Sequence, residues 1–258
     1  MAGTVTAPRS PTDTLPAWRR RLRYWIARIA ISILVRSYVR VRLEGRDRLP
    51  AGPAIYCFNH LGWVDPFVLL AVLPMRPRLF FFGPKEADMA IGARNRLMRW
   101  TGTPIPFRPD KDNLLGVARR VQAVLASGSV MAIAGEGRIH ASESELWPID
   151  EGTAFFAIRA SVPIVPIAIN GTSWLHLGAR VTVRVGEPIA ADGRADRATV
   201  QALTGRTWAA LHAMVRDAPD VPEPGRFGRW LTERFNDWPE GSREATLAAG
   251  PARGTNGT

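Results

Sequence analysis

Several short stretches of the chain alternate apolar and polar residues in the pattern of β-strands. In residues 38–44, Val39, Val41 and Leu43 alternate with Arg40 and Arg42, which predicts a half-exposed strand. Residues 180–185 alternate in the same way, whereas compact apolar runs elsewhere predict buried strands. The apolar and extended stretches lie at residues 54–58, 78–82, 104–107, 130–134 and 164–169.

Between these stretches, apolar residues recur at the spacing of an α-helix. Leu114, Ala118, Val121 and Leu125 are one such set. Asp65-Pro66 predicts a helix start, because Asp is a good N-cap and Pro favours the first helical position. The predicted helices lie at residues 65–73, 87–100, 114–125, 152–160, 199–215 and 226–238. Alternating strands and helices predict one α/β domain, a mixed central sheet flanked by helices.

An arginine-rich helix is predicted at residues 17–37. Trp18 and Trp25 stand among arginines, and only seven uncharged residues separate Arg28 from Arg36. A membrane-spanning helix needs roughly 20 mainly apolar residues, so a span is not expected. The pattern is typical of an amphipathic helix lying in the membrane interface. A soluble amphipathic helix packed on the domain is the alternative.

Composition adds a strong positive charge to this picture. The net charge of the 258 residues is +11, which favours an anionic lipid surface, nucleic acid or a phosphorylated substrate as partner. Cys57 is the single cysteine, so no disulfide forms within the chain. It lies in an apolar run and is predicted to be a buried strand residue rather than a nucleophile.

The two ends of the chain differ from the middle in composition. Residues 1–16 are rich in Pro, Thr and Ser, and residues 239–258 in Gly, Ala, Ser and Thr, which predicts mobile tails. Arginines interrupt the apolar stretch near the N-terminus, so a secretory signal is not expected. The catalytic domain is expected at residues 38–220, followed by a C-terminal helix at 221–238.

The segment Asn59-His60-Leu61-Gly62-Trp63-Val64-Asp65 lies between a predicted strand and a predicted helix. A loop there can bring the imidazole of His60 back to the carboxylate of Asp65. The carboxylate would fix the tautomer and stabilise the imidazolium formed when His60 accepts a proton. The structural alternative is that Asp65 only caps the helix and His60 is a loop residue.

Two further segments follow predicted strands. Arg108 ends the segment 102–108 and could hold a phosphate through its planar guanidinium. The alternative, which the segment favours when taken alone, is a solvated surface arginine. Gly135-Glu136-Gly137-Arg138 follows the strand at 130–134, at the strand end where open α/β sheets bind ligands. An ordinary loop with a solvated Glu–Arg pair is the alternative. Residues 162–167 predict a buried strand entered through prolines.

Taken in order, these segments resemble the PlsC-like glycerolipid acyltransferases, the lysophosphatidic acid acyltransferase family, over residues 38–215. Residues 59–65 match the family's NHxxxxD motif, residues 106–108 match its second motif loosely, and residues 162–167 match its fourth. The third motif, Phe-Pro-Glu-Gly-Thr-Arg-Ser, is matched only at Glu136-Gly137. Arg138 stands where the family has threonine and Ile139 where it has arginine.

The resemblance implies transfer of a fatty acyl group from acyl-CoA or acyl carrier protein to lysophosphatidic acid, which forms phosphatidic acid in phospholipid biosynthesis. His60 would be the general base and Asp65 its partner. Arg108 would bind the acceptor phosphate, and Glu136 and Gly137 would shape the acceptor site. Two further positively charged residues, Arg138 and Lys85, would contribute to substrate binding.

The same resemblance implies neither a cofactor nor a metal. The expected partners are the acyl thioester donor, a lyso-phospholipid acceptor and an anionic membrane surface, with no nucleic acid. The expected location is the cytoplasmic face of the cell membrane, where the protein is peripheral or monotopic.

The sequence excludes two other classes of protein and is compatible with two alternative functions. The Gly-x-Ser-x-Gly elbow of serine hydrolases and the Gly-x4-Gly-Lys-Ser/Thr phosphate loop are absent from the sequence. Because the third motif is altered, acylation of another lyso-lipid or of a glycolipid is one alternative. A basic protein that binds membranes or nucleic acid without catalysis is another, favoured by charge alone.

Overall fold

One sheet organises the described part of the chain. The computed structural model describes residues 16–83, 100–105, 114–236, 238 and 240–250. Seven strands within these ranges form the sheet in the order β1-β7-β6-β2-β5-β3-β4. The strands are β1 (Arg40–Glu44), β2 (Ile55–Phe58), β3 (Leu79–Phe82), β4 (Pro104–Ile105), β5 (Val130–Ala134), β6 (Ile164–Asn170) and β7 (Arg180–Val185).

The sheet is mixed, as the sequence predicts. β6 and β7 are antiparallel, and all other neighbouring strands are parallel. The central strands β6, β2 and β5 therefore run in one direction, and their carboxyl ends meet at one edge. Ligands of open α/β sheets bind at this kind of edge.

Helices cover both faces of the sheet. They are α1 (Ala17–Tyr38), α2 (Asp65–Val72), α3 (Leu114–Ala126), α4 (Gly152–Ala160), α5 (Arg197–Val215), α6 (Arg226–Phe235) and α7 (Arg243–Ala249). α1 and α2 pack in one hydrophobic core with one face of the sheet, and α3, α4 and α5 pack in a second core with the other. The predicted α/β fold with flanking helices is confirmed. The helix expected at residues 87–100 lies almost wholly outside the described residues.

The central strands are continuous apolar runs because both faces of the sheet are covered. Every residue of β2 and β6 is buried, whereas β7 on the flank alternates between exposed or half-buried and buried positions. Two layers of helices leave these strands no solvent-facing side. The alternation of exposed and buried residues that predicts a half-exposed strand is therefore seen in β7 on the flank of the sheet and not in the central strands β2 and β6.

The arginine-rich helix α1 packs against the domain. Its inward side is mainly apolar, yet Arg28 is also buried. The Arg28 guanidinium donates to the Tyr24 hydroxyl (3.0 Å) and to the carbonyl oxygen of Leu73 (2.6 Å), so its charge stays hydrogen-bonded. The outward side of α1 remains apolar and exposed, with Trp18, Leu22, Ile26, Ile29, Ile33 and Leu34. In the ranges described, no helix has the length and apolarity required to cross a membrane.

The C-terminal region departs from the sequence expectation. The helix predicted up to residue 238 ends at Phe235, and part of the expected tail at 239–258 forms α7. Arg243, the first residue of α7, donates to the carbonyl oxygens of Ser173 (2.6 Å) and Ala141 (3.2 Å) and lies over the ring of Trp174. These long-range contacts hold a segment that composition alone assigns to a tail.

Candidate active site

The loop after β2 leaves the sheet in a fixed direction because Asn59 ties it to β6. The Asn59 side-chain amide donates to the carbonyl oxygen of Ile169 (2.9 Å) and accepts from the Ile169 N–H (2.7 Å). Asn59 is fully buried, so both bonds are shielded from water. The next residue, His60, therefore starts from a defined position at the carboxyl edge of the sheet.

His60 and Asp65 form the pair that the sequence predicts. His60 Nδ1 lies 2.8 Å from Asp65 Oδ2. The same oxygen accepts the backbone N–H groups of Leu61 (2.8 Å) and Gly62 (2.9 Å). The other oxygen, Oδ1, accepts the hydroxyl of Thr172 (2.6 Å). The buried carboxylate thus has four partners, which hold it in one orientation.

One expectation about Asp65 is wrong. The helix begins at Asp65, its N-cap is Val64, and no side chain caps it. Instead of accepting from the helix's own first turn, the Asp65 carboxylate turns back to the loop that precedes it. The reason is that the loop presents two backbone N–H groups and the imidazole together, which satisfy the charge better than one capping bond.

This arrangement determines which nitrogen of His60 can act as a base. An ionised carboxylate only accepts hydrogen bonds, so Nδ1 carries the hydrogen that points to Asp65. The other nitrogen, Nε2, then has a lone pair available for a proton. The His60 side chain is 19% exposed whereas Asp65 is fully buried, so the imidazole is the member of the pair that substrate can reach.

The loop after β5 holds the backbone of His60 on both sides. Glu136 Oε2 accepts the His60 N–H (2.9 Å), and the His140 N–H donates to the His60 carbonyl oxygen (3.0 Å). The other carboxylate oxygen of Glu136 accepts the Trp147 N–H (2.9 Å). Glu136 is buried, and both its oxygens contact protein groups. In this geometry Glu136 fixes the position of the His60 backbone.

Glycines on either side of Glu136 allow this close approach. A Cβ at Gly135 would lie 2.9 Å from Cys57 Sγ and 2.8 Å from a methyl of Ile149. Gly137 has φ +65°, and a Cβ there would lie 2.7 Å from Asp150 Oδ2. Larger residues would push the Glu136 carboxylate away from His60. Gly137, predicted to shape the acceptor site, shapes the loop itself.

The comparisons with known proteins identify the family. The family model described as Acyltransferase matches residues 40–170, half of the chain. The chain belongs to this acyltransferase family. The match runs from β1 to the end of β6 and so includes the two loops that hold His60, Asp65 and Glu136.

Individual relatives are more distant. The chloroplastic 1-acyl-sn-glycerol-3-phosphate acyltransferase LPAT1 of Arabidopsis thaliana is 26% identical over 157 residues, which is 60% of this chain and 43% of the relative. The chloroplastic 1-acyl-sn-glycerol-3-phosphate acyltransferase BAT2 of Brassica napus is 24% identical over 157 residues, with 60% and 44% covered. The chain thus spans less than half the length of these curated relatives.

A solved structure shares the fold. The crystal structure of the 1-acyl-sn-glycerophosphate (LPA) acyltransferase PlsC from Thermotoga maritima matches with a TM-score of 0.57 at 17% identity, covering 78% of this chain and 81% of that one. At this identity the likeness concerns the fold alone. It confirms the single α/β domain expected from the sequence.

The part of the third motif in which this chain departs from its family contacts the C-terminal segment. Arg138 forms an ion pair with Glu240, and its guanidinium lies 4.5 Å from the ring centre of Trp147. Ile139, at the position of the family's arginine, is buried in a small cluster with Ala141 and Trp238. Arg138 remains a predicted substrate-binding residue. A substrate anion that bound Arg138 would have to displace the carboxylate of Glu240.

The segment also carries a second buried imidazole. The ring of His140 stacks on that of Trp147, with ring centres 5.3 Å apart. Its Nε2 lies 2.7 Å from Glu136 Oε1. His140 therefore contributes stacking and a backbone N–H to the site, while its ring stays away from solvent.

Other predicted residues have different outcomes. Lys85 and Arg108 lie outside the described residues, so their roles stay predictions. Cys57 is fully buried in β2, and burial, together with the nearby Glu136 carboxylate, raises the pKa of its thiol to about 12. A neutral thiol in the core is not a nucleophile, as the sequence predicted. No group of three or more His, Cys, Asp or Glu side chains is placed to hold a metal ion in the part of the chain that the structure describes.

Sequence reasoning missed the support that comes from beyond β6. Thr172 reaches Asp65 only because β6 lies beside β2 in the sheet. Its loop is held by the buried Glu143, which accepts the backbone N–H groups of Gly171 (2.8 Å) and Ser173 (3.0 Å). Burial raises the pKa of the Glu143 carboxyl. No local pattern signals these residues; a polar residue just beyond a buried strand is the nearest available sign.

Proposed function

We propose that this chain transfers an acyl group from a thioester donor to the free hydroxyl of lysophosphatidic acid, which yields phosphatidic acid. The observation that carries the proposal is the 2.8 Å contact between His60 Nδ1 and the buried Asp65 carboxylate. It leaves a basic Nε2 on a partly exposed imidazole at the carboxyl edge of the sheet.

In the proposed reaction His60 acts as general base. Its Nε2 takes the proton of the acceptor hydroxyl while the hydroxyl oxygen attacks the thioester carbonyl. The tetrahedral intermediate then expels the thiolate, and the imidazolium returns the proton to it, so the products are an oxygen ester and a free thiol. Asp65 stabilises the positive charge on His60 between these two steps.

The identity of the acceptor rests on supporting observations. Both plant relatives are named 1-acyl-sn-glycerol-3-phosphate acyltransferases. The net charge of +11 suits a phosphate-bearing substrate. Arg108 is proposed to bind the acceptor phosphate, and Lys85 and Arg138 are proposed to contribute to substrate binding. The donor is proposed to be acyl-CoA or acyl carrier protein, and the product to enter phospholipid biosynthesis.

The reaction is proposed to take place at the cytoplasmic face of the cell membrane, with the protein bound peripherally. Residues 17–37 would contact the anionic surface, and residues 38–220 would form the catalytic domain. The exposed apolar side of α1 supports this, because aliphatic residues and tryptophan beside arginines favour the membrane interface. Replacing Leu22, Ile26 and Ile33 by serine should weaken binding to anionic vesicles; unchanged binding would remove α1 from the membrane contact.

The proposed function is tested by an acyl-transfer assay on the purified full chain. A radiolabelled acyl thioester, offered as acyl-CoA and as acyl carrier protein, is combined with lysophosphatidic acid, with other lyso-phospholipids and with a glycolipid. We expect the label in phosphatidic acid, and we expect His60→Ala to abolish it. Transfer only to a lyso-lipid without a phosphomonoester, or only to a glycolipid, would show that lysophosphatidic acid is not the acceptor. Failure to transfer the acyl group to any of these acceptors would refute the enzyme function.

A further inference from the structure

The outward side of α6 carries a cluster of exposed aromatic rings. Phe227 is 64% exposed, Trp230 is 52% exposed and Phe235 is 39% exposed. Their rings are neighbours, with centres 5.8 Å apart for Phe227 and Trp230 and 5.9 Å apart for Trp230 and Phe235. We call these three residues the aromatic patch. Aromatic area of this extent facing solvent marks an interaction surface.

The opposite side of α6 is the one that packs on the domain. Gly228 and Thr232 are buried, and a Cβ at Gly228 would lie 2.4 Å from the carbonyl oxygen of Leu175. The Thr232 hydroxyl accepts the Leu175 N–H (2.9 Å). Because glycine and threonine serve the inner side, Phe227 and Trp230 are not needed to hold the helix in place.

Arginines of α6 flank the patch. α6 carries Arg226, Arg229 and Arg234, all exposed, against the half-buried Glu233. Glu233 accepts the indole N–H of Trp238 (3.1 Å), and Arg229 pairs with Glu223 (2.8 Å) and Glu244 (3.7 Å), so Arg226 and Arg234 are the arginines offered to an anionic surface. Tryptophan and phenylalanine among arginines are typical of helices that lie in an anionic headgroup layer.

The aromatic patch is joined to the catalytic loop through Trp63, which lies between His60 and Asp65 in the sequence. The Trp63 ring is 5.3 Å from the ring of Phe235. The Trp63 indole N–H donates to the carbonyl oxygen of Leu231 (3.2 Å), and its backbone N–H donates to the Asn236 side chain (2.7 Å). The end of α6 therefore fixes the middle of the loop that holds the base.

α6 also lies on the same side of the sheet as α1. Leu231 of α6 and Trp63 pack against the core that contains the inward residues of α1, whereas α3, α4 and α5 belong to the other core. The inner side of α6 and the inward side of α1 thus contact the same core.

We propose that the aromatic patch inserts into the headgroup layer of an anionic membrane, while the arginines of α6 contact lipid phosphates. The contact places the loop of residues 59–65 at the lipid surface, so an acceptor lipid reaches His60 without leaving the bilayer. The inference deepens the proposed function, since a lipid acceptor gives the contact its purpose. The membrane contact itself is measured without any activity assay.

The first test measures vesicle binding. The full chain and its Phe227→Ser/Trp230→Ser variant are floated with vesicles of phosphatidylglycerol and phosphatidylcholine. We expect the double variant to partition about tenfold more weakly, because two interfacial aromatic side chains are lost. Leu247→Ser, which removes an exposed apolar residue on α7, is the matched control and should bind like the parent. Equal binding of the parent and the double variant would overturn the proposal.

A second variant covers the event that the serine substitutions disturb folding, which circular dichroism would show. Arg226→Glu/Arg234→Glu changes only exposed side chains of α6 and should weaken flotation on the anionic vesicles. Arg194→Glu, an exposed arginine before α5, is its control. Unchanged flotation of the α6 charge variant would also contradict the proposal. A third outcome would also contradict the proposal: the parent forms a dimer, and the aromatic substitutions dissociate it without changing vesicle binding. In that case a second copy of the chain would cover the patch.

The last test links the patch to catalysis. With lysophosphatidic acid embedded in vesicles, the aromatic double variant should lose about tenfold in rate, in proportion to its binding. With a short-chain acceptor below its micelle concentration, its rate should equal that of the parent. Loss of rate with both acceptors would overturn the proposed role. If the parent transfers no acyl group to either acceptor, the proposed function fails, and flotation still decides whether the patch binds membranes.

Discussion

Two loops leave neighbouring strands at the same edge of the sheet, and each presents a buried carboxylate. After β2, Asp65 contacts the imidazole of His60, and after β5, Glu136 contacts the backbone N–H of His60. Each carboxylate also lies beside an imidazole, Asp65 beside that of His60 and Glu136 beside that of His140, but the His60 side chain is 19% exposed whereas the His140 ring is buried. The comparison teaches that the exposure of the imidazole, not the carboxylate, separates a pair that a substrate can reach from one that only holds the loop.

The two loops also differ in how closely they keep the family pattern. Residues 59–65 match it, whereas residues 134–140 keep only Glu136 and Gly137. The retained pair is the part that holds His60, through the Glu136 carboxylate and the tight turn at Gly137. The side chains at the replaced positions 138–140 contact Trp147, Glu240 and Trp238 instead, although the backbone N–H of His140 also donates to the His60 carbonyl oxygen. The side chain that holds His60 is thus distinct from those that form the surface around it.

The largest effect is expected from His60→Ala, which removes the base itself. We expect kcat to fall by about 10²- to 10⁴-fold, the usual contribution of a positioned acid or base. The measurement is steady-state acyl transfer with circular dichroism as a check of folding. His212→Ala, on α5 at the opposite face of the sheet, is the control and should keep its rate. Near-normal turnover of His60→Ala would show that His60 is not the general base.

Asp65→Asn should have the next largest effect. Asparagine keeps the shape of the side chain but removes the negative charge that stabilises the His60 imidazolium. We expect kcat to fall about a hundredfold, with little change in the acceptor KM. Initial rates over a range of acceptor concentrations separate the two constants. A change confined to KM would show that Asp65 acts on the substrate and would break the contrast with Glu136.

Glu136→Gln tests the positioning loop. The glutamine can accept from only one of the two backbone N–H groups, so the His60 or the Trp147 N–H loses its partner. We expect the free energy of unfolding to fall by about 1–3 kcal/mol and kcat to fall about tenfold. The acceptor KM should stay unchanged. Glu145→Gln, an exposed neighbour, is the control, and a raised KM in Glu136→Gln would point to acceptor binding instead.

Thr172→Val should have a smaller effect. Valine fills the same volume but does not donate to Asp65 Oδ1, now 2.6 Å from the hydroxyl. A lost hydrogen bond of about 1 kcal/mol corresponds to a rate change of about fivefold. Thr207→Val removes an equally buried hydroxyl from α5 and should lower stability without lowering kcat. Equal rates of Thr172→Val and the parent protein would show that Asp65 needs no support from β6.

The smallest effect is expected at Cys57, which lies beneath both loops. Its raised pKa of about 12 keeps the thiol protonated at neutral and mildly alkaline pH. Cys57→Ala should therefore keep its rate within about twofold, and the native thiol should not react with a chromogenic disulfide at pH 8 until the protein unfolds. Fast reaction of the folded protein would place the thiol outside the core.

Much of the fold was predictable because its signals are local. The helix at 152–160 and the strands at 130–134 and 180–185 have the bounds predicted from the sequence. A helix or strand of this length is set by the spacing of its own apolar residues and by the turns beside it. The segment 243–249 was not predicted, because Arg243 is held by carbonyl groups about 70 and 100 positions away.

The sequence by itself determined the α/β class, the pairing of His60 with Asp65 and the buried state of Cys57. It did so because each depends on residues a few positions apart. Only the tertiary structure decided that Glu136 holds the His60 backbone, that Thr172 supports Asp65 and that α6 reaches the loop of residues 59–65 through Trp63. Those contacts depend on the order of strands in the sheet, which brings together loops that are distant in the chain and carries no local sequence signal.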